Sequence, residues 1–293
     1  MKPLIIAVMA RELRMSHHNN YPESRTSMKN LTLLTSAALL LIANAASATT
    51  LVASDNFQQA NLGAVTNQSS GTGWAGNWQS AATGAATPTV VKQGAPADGN
   101  QALQFSANND NAAFRVLNQS ISGDVFIDFM FQYSGNALGD NDFLGLWIGN
   151  WNGPNIGLKG NCGGGTAGCI NDAFARTNGG GGPYLPVNMQ QNVTYHLYGH
   201  LYKTANSMFY NKFDAWINPT ALEMSTLVDA DVMATGASTI SSFNTIGFRS
   251  ANIDTITVRI DDLKVSVVPE PASIALFGLA LAGMAGVRRA KRK

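Results

Sequence analysis

Between residues 49 and 268 the apolar positions fall into short runs of period two, broken by Gly, Asn, Asp and Pro. Asp124–Tyr133 alternates around Phe126, Asp128 and Met130, and Phe143–Ile148 is a compact apolar run. Val193–Tyr202 alternates again. Tyr195, Leu197, Gly199 and Leu201 take one side, while Thr194, His196, Tyr198, His200 and Tyr202 take the other. Lys212–Ile217 ends at Asn218-Pro219, and Thr245–Arg249 and Ile256–Val267 read as the last two strands. Only Ala221–Asp229 suggests a helical turn. Many short strands, polar loops and no alternation of strand with helix predict an all-β antiparallel sandwich over residues 49–267.

Both ends depart from this pattern. Met28-Lys29-Asn30 leads into an apolar run, Leu31–Ala43, followed by Ala46-Ser47-Ala48. A short positive region, an apolar stretch and an A-x-A site predict a signal peptide over 28–48, a helix that signal peptidase removes to leave Thr49 first. A buried helix is the alternative. Residues 1–27 carry charges and His17-His18 without a period. They read either as a start-site artefact ahead of Met28 or as an extended n-region, and the two histidines are not metal ligands in either case.

At the other end, Pro269-Glu270-Pro271 interrupts the strand pattern. Fourteen apolar residues, Ile274–Val287, follow, and then a basic cluster that includes Arg288 and Arg289. As a helix the apolar run spans roughly 21 Å, short of the about 20 residues that a typical bilayer core needs. Snorkelling by the basic residues narrows the gap, and their charge predicts a cytoplasmic end. An amphipathic helix packed on the domain would need a polar face, which the stretch lacks. The three parts in this order resemble the PEP-CTERM sorting signal. That resemblance implies a tail over 268–293 with a short C-terminal transmembrane helix. It also implies an exosortase-type membrane transpeptidase that cuts near Pro269-Glu270-Pro271 in a Gram-negative bacterium, with a transient inner-membrane anchor and then release to the cell surface or matrix.

Charge separates the parts further. Residues 49–268 hold nine Lys or Arg and fifteen Asp or Glu, a net −6, although the whole chain sums to +1. An acidic folded part argues against nucleic-acid binding. Charged residues are only 13% of the chain and glycines number 29, which suits strands joined by polar loops outside the cell.

The strand order resembles a concanavalin A-like, laminin-G-like jelly roll. Ala53–Phe57 is similar to its first strand and Ile260–Val265 to its last, with Gly99–Phe105 and Phe213–Pro219 also fitting. The resemblance implies pairing of the first and last strands. Its members include lectins, glycanases and adhesive modules, so three readings follow: a non-catalytic glycan binder, a glycan-active hydrolase or lyase, and a purely structural or adhesive protein. Catalysis is disfavoured, because glycan hydrolysis needs two spaced carboxylates and Glu223 is the lone glutamate of the folded part. The Glu-x-Asp-x-x-Glu strand of the family's laminarinase-like members has no counterpart, and Gly139–Asp142 reads as a turn.

Candidate residues remain. Cys162 and Cys169 enclose a glycine-rich loop that favours a disulfide in an oxidising compartment, with a metal pair or free thiols as alternatives. His196 and His200 are about 13 Å apart on a strand, too far to share one ion. With them, Tyr198 and Tyr202 form either a sugar platform or a packed layer. Trp147 and Trp216 read as core. Trp74, Trp78 and Trp151 sit in Gly- and Asn-rich loops and either stack on a polysaccharide or pin their loops. No cofactor is required. The jelly-roll resemblance implies one structural calcium where first and last strands meet, at Asp55 and Asp262; solvated edge aspartates are the alternative.

Overall fold

In a computed structural model, residues 49–58, 60–82, 87–92, 100–107 and 110–268 are described. The signal helix, the sorting motif Pro269-Glu270-Pro271, Arg288, Arg289 and the C-terminal membrane helix lie outside them. Among the described residues no helix is long and apolar enough to cross a membrane.

Two antiparallel sheets form a jelly-roll-like sandwich. The larger runs β14 (Val232–Thr235), β13 (Lys212–Ile217), β12 (Thr194–Tyr202), β7 (Val125–Gly135), β16 (Ile253–Val267), β5 (Gln101–Ala107), β4 (Thr89–Lys92) and β2 (Gly63–Ala64), with β1 (Thr50–Asp55) also on β16. The smaller runs β11 (Tyr184–Leu185), β10 (Ala173–Arg176), β9 (Asn155–Lys159), β8 (Phe143–Ile148), β15 (Phe243–Ala251), β6 (Asn111–Ile121) and β3 (Gln79–Ala82). First and last strands pair, as the family resemblance implied.

Alternation explains the layers. On β12, Tyr195, Leu197 and Leu201 face the core with Ile127, Phe129 and Phe131 of β7. Leu144, Leu146 and Phe248 meet them from the other sheet, where Phe129 and Phe248 make an edge contact at 5.3 Å. The opposite phase of each strand points outward. On the larger sheet that outer face holds Phe126, Tyr198 and Trp216, covered by Met224, Leu227, Ala230 and Val268. Met224 belongs to α1 (Ala221–Thr226), where Thr220 and Glu223 cap each other's backbone N–H.

Trp147 and Trp216 are buried, as expected, in two small hydrophobic clusters separate from the inter-sheet layer. Both point away from the inter-sheet layer, because each shares strand phase with outward neighbours and packs in a small outer cluster. Trp78, placed by the sequence in a loop that either stacks on a polysaccharide or is pinned to the sandwich, is fully buried against Phe57 in the core and donates its Nε1–H to Asp55 at 2.7 Å. Trp74 packs against the same core and donates to the Ser54 carbonyl at 3.0 Å. These two tryptophans pin their loop.

Candidate functional site: an aromatic and cationic outer face

The outward phase of the smaller sheet is unlike the rest of the surface. Register sets Gly247, Trp147, Asn155 and Arg176 in one row across β15, β8, β9 and β10. The next row is Arg249, Gly145, Gly157, Phe174 and Tyr184, and beyond it Ala251, Phe143 and Lys159. Bulky rings thus alternate with small residues. At Gly145 a Cβ would come within 2.9 Å of Phe143 Cζ and 3.3 Å of Phe174 Cζ, so glycine lets both rings lie down over the sheet.

The rings connect into a spine. Phe114 meets Trp151 at 6.0 Å, Trp151 meets Trp147 at 6.4 Å, Trp147 meets Phe143 at 6.1 Å, and Phe143 stacks on Phe174 at 5.6 Å. Two cavities flank Trp147. One, of about 190 Å³, lies among Phe114, Trp147, Trp151 and Thr245. The other, of about 200 Å³, is lined by Phe143, Trp147, Lys159, Arg176 and Arg249 with Asn252 at its rim.

Each cation rests on a ring. Arg176 lies 4.2 Å from the centre of Phe174, Lys159 lies 5.9 Å from Phe143, and Arg249 lies 5.9 Å from Trp147. A ring face holds a cation without cancelling its charge. Arg249 also donates to Asp110 at 2.7 Å, half-exposed. Among the described residues, neither Lys159 nor Arg176 has a carboxylate within ion-pair distance. Burial, with the neighbouring Arg176 charge, pushes the Lys159 ammonium below its ordinary range. Burial likewise pushes Arg176 down, against the Tyr184 phenol, which its Nη2 reaches at 3.4 Å. Three buried polar atoms of the Trp147 row have no hydrogen-bond partner among the described residues: Trp147 Nε1, Arg176 Nε and Asn155 Oδ1.

Among the sequence candidates, Trp151 is half-buried within this spine. Tyr198 and Tyr202 belong to the other sheet. There Phe126, His200 and Tyr202 stack at 4.4 and 4.5 Å, and Tyr198 packs on Trp216 at 5.7 Å under α1 and the loop after it. His196 and His200 go to separate carboxylates, Asp128 at 2.7 Å and Asp124 at 3.2 Å. Lys159, Arg176 and Arg249 were not singled out from sequence. The signal available was a basic residue at the outward phase of a strand, three times, in an acidic domain.

Cys162 and Cys169 are disulfide-bonded, with Cα atoms 5.9 Å apart. The loop they close follows β9 directly, so it borders Lys159. The Gly139–Asp142 segment is a turn, in which Asp142 accepts the Gly139 N–H at 2.7 Å, and burial raises the Asp142 carboxyl above its ordinary range.

The aspartates considered for calcium do not fit it. Asp55 Oδ1 accepts the Phe57 N–H at 2.9 Å, and Oδ2 accepts Ser70, Trp78 and Arg115 at 3.0, 2.7 and 3.0 Å. A cation there would displace the Arg115 charge from a fully buried carboxylate. Asp262 bonds Lys264 at 2.7 Å instead. Among the described residues no group of three His, Cys, Asp or Glu could hold a metal ion.

Residues 267–290 match the PEP-CTERM protein-sorting motif. No curated protein sequence matches the chain significantly. Among solved structures, the chain is similar to the carbohydrate recognition domain of Emp47p at 9% identity, over 76% of this chain and 98% of that one, with a TM-score of 0.45. The VIP36 exoplasmic/lumenal domain in its Ca2+/Man-bound form is similar at 10% identity, over 64% and 82%, with a TM-score of 0.41. A carbohydrate esterase from a Shiga toxin-encoding bacteriophage is similar at 13% identity, over 76% and 100%, with a TM-score of 0.40. Likeness at this level says nothing about ligand or chemistry.

Proposed function

We propose that this chain is an exported bacterial surface or matrix protein that binds a glycan without transforming it. The spine from Phe114 through Trp151 and Trp147 to Phe174 carries this reading. Sugar rings present apolar faces that stack on aromatic side chains, and hydroxyls that need polar groups at the rim. The two cavities beside Trp147 offer both, through Thr245 and Asn150 on one side and Asn141 and Asn252 on the other. Their described walls contain no carboxylate to act as acid, base or nucleophile, which favours binding over hydrolysis.

The sorting motif over 267–290 supports export and C-terminal processing. In this reading signal peptidase removes residues through Ala48, and an exosortase-type enzyme of a Gram-negative bacterium recognises Pro269-Glu270-Pro271 and the basic end at Arg288-Arg289. The sandwich occupies 49–267, a boundary supported by β1 starting at Thr50 and β16 ending at Val267.

A glycan array run beside a polysaccharide-hydrolysis screen tests this on the full chain in detergent. Binding without turnover is expected, and Trp151→Ala should abolish binding while leaving the melting temperature in place. Turnover of a bound glycan would sink the reading in favour of an enzyme. Inert behaviour in both assays would favour a purely structural protein.

A further inference from the structure

We propose that the cavity among Lys159, Arg176 and Arg249 holds the carboxylate of an acidic sugar residue, which makes the bound glycan an acidic polysaccharide. This rests on the glycan-binding reading above and specifies its ligand.

Charge distribution is the first argument. The folded part has nine basic residues against fifteen acidic ones, yet three of the nine line a single cavity of about 200 Å³. Five other cations are committed elsewhere: Arg115 to Asp55, Lys264 to Asp262, Lys203 to the Ser241 carbonyl, Lys212 to Thr235 and Arg259 to Gln104. Of the three at the cavity, Arg249 is paired with the half-exposed Asp110, which leaves Lys159 and Arg176. Lys159 and Arg176 repel each other and lean on rings instead of carboxylates. Such a cluster is favourable only when an anion joins it.

The donors are the second argument. Trp147 is 5% exposed and Arg176 8% exposed, and both line this cavity, yet Trp147 Nε1 and Arg176 Nε have no partner among the described residues. An unmet buried donor costs about 1–3 kcal/mol. Asn155 Oδ1, unpartnered in the same row, is one acceptor beside two donors. A carboxylate brings two oxygens and about four lone-pair sites, enough for the edge of a guanidinium and an indole N–H together. Gly182 packs against the Arg176 stem, where a Cβ would meet Cγ at 2.5 Å, so only glycine leaves room for the side chain there.

Size and surroundings select the polymer. A nucleic acid or other dense polyanion needs an extended basic stripe. Here three cations sit in one pocket on a domain of net charge −6, which repels closely spaced anions. The neighbouring cavity at Trp151 carries no charged residue and suits an uncharged sugar next along the chain. An occasional acid between neutral units matches this pairing.

The test uses the full chain in detergent, with a heteropolysaccharide of neutral sugars and uronic acids in native form and after chemical reduction of its carboxyl groups to alcohols. Inorganic polyphosphate serves as the third probe. Native polymer should bind, and carboxyl reduction should weaken binding on the order of tenfold or more. Lys159→Gln and Arg249→Gln should each bring native-polymer affinity towards that of the reduced polymer without moving the melting temperature; Trp147→Phe should lower the affinity in the same way, with its own change in the melt because the ring is buried. Lys203→Gln should change nothing. Added salt should weaken binding of the native polymer more than of the reduced one. Equal binding of native and reduced polymer overturns the acidic-sugar inference and leaves glycan binding intact. Polyphosphate bound as tightly as native polymer also overturns it, as a site for any anion. Binding of neither polysaccharide overturns the glycan reading itself.

Discussion

Thr50 stands opposite Val267 where the first strand meets the last. The chain therefore enters and leaves the sandwich at one point. β16 is flanked by β7 on one side and by β5 and β1 on the other, so the larger sheet cannot close until the final strand is in place. Val268 then packs on the outer cluster of Phe126, Tyr198 and Trp216. Truncation after Val268 should leave the melting temperature unchanged, whereas truncation after Asp261 should abolish cooperative unfolding. In the host, Pro269-Glu270-Pro271 replaced by alanines should accumulate as a larger, membrane-retained form. Intact mass of the wild-type surface protein should begin at Thr49 and lack Ile274–Lys293; a mass that still includes Lys293 would make the tail a permanent anchor.

The tyrosines of the larger sheet predict an alkaline limit. Tyr198 is pushed up to about 12 by burial and then by Asp128. Tyr202 is pushed up to about 12 by burial and by Asp214, to which its hydroxyl donates at 3.0 Å. An unfolded tyrosine titrates near about 10. The folded state thus holds these protons more tightly. Their contribution to stability is complete below pH about 10 and is lost as pH rises through about 12. Phenolate absorbance should show a late component that appears together with loss of the far-ultraviolet signal. Tyr202→Phe should cost about 1 kcal/mol at neutral pH and soften the alkaline decline.

How much of this was legible in the sequence depended on range. The alternation of Val193–Tyr202 assigns every inward residue of β12 correctly, because period two is a local property. Trp78 and Trp151 look alike locally, each beside Gly and Asn. What separates them is Asp55 on β1, which accepts the Trp78 Nε1–H and is itself held by Arg115 on β6. The ion pair at Asp55 was hidden for the same reason: its partner Arg115 lies 60 residues away. Lys159, Arg176 and Arg249 come from β9, β10 and β15, and only sheet register makes them neighbours.

The Cys162–Cys169 disulfide closes a loop of sequence separation seven beside Lys159. Its chain-entropy contribution is about 2–3 kcal/mol. The peptide holding both cysteines should gain two hydrogens in mass on reduction. Cys162→Ser with Cys169→Ser should lower the denaturation midpoint. The double variant should also weaken acidic-glycan binding, since Cys162 bonds the Asn171 carbonyl and holds the turn that follows β9. Full alkylation of the unreduced protein would contradict the pairing.

The last prediction concerns Asp55 and Arg115. Their ion pair is 3.0 Å long, with side chains 0% and 4% exposed. Arg115 Nε also donates to the Gly76 carbonyl at 2.6 Å, and its guanidinium lies 5.1 Å from the Trp74 ring. Burial lowers Arg115 from its ordinary range, and Asp55 opposes that shift. The pair thus ties β1 and the 70–78 loop to β6. Removing one partner leaves a charge buried and unmatched, at a cost of about 3–5 kcal/mol. Asp55→Ala and Arg115→Met should each lower the unfolding free energy by that much, read as a fall in the denaturant midpoint at unchanged slope. Asp55→Ala with Arg115→Met should cost less than the two losses added, because the second change removes the charge that the first stranded. Calcium and a chelator should leave the wild-type melt unmoved, since Asp55 already accepts four donors. A calcium-dependent rise in melting temperature that Asp55→Ala removes would show instead that a metal can replace Arg115 at this carboxylate.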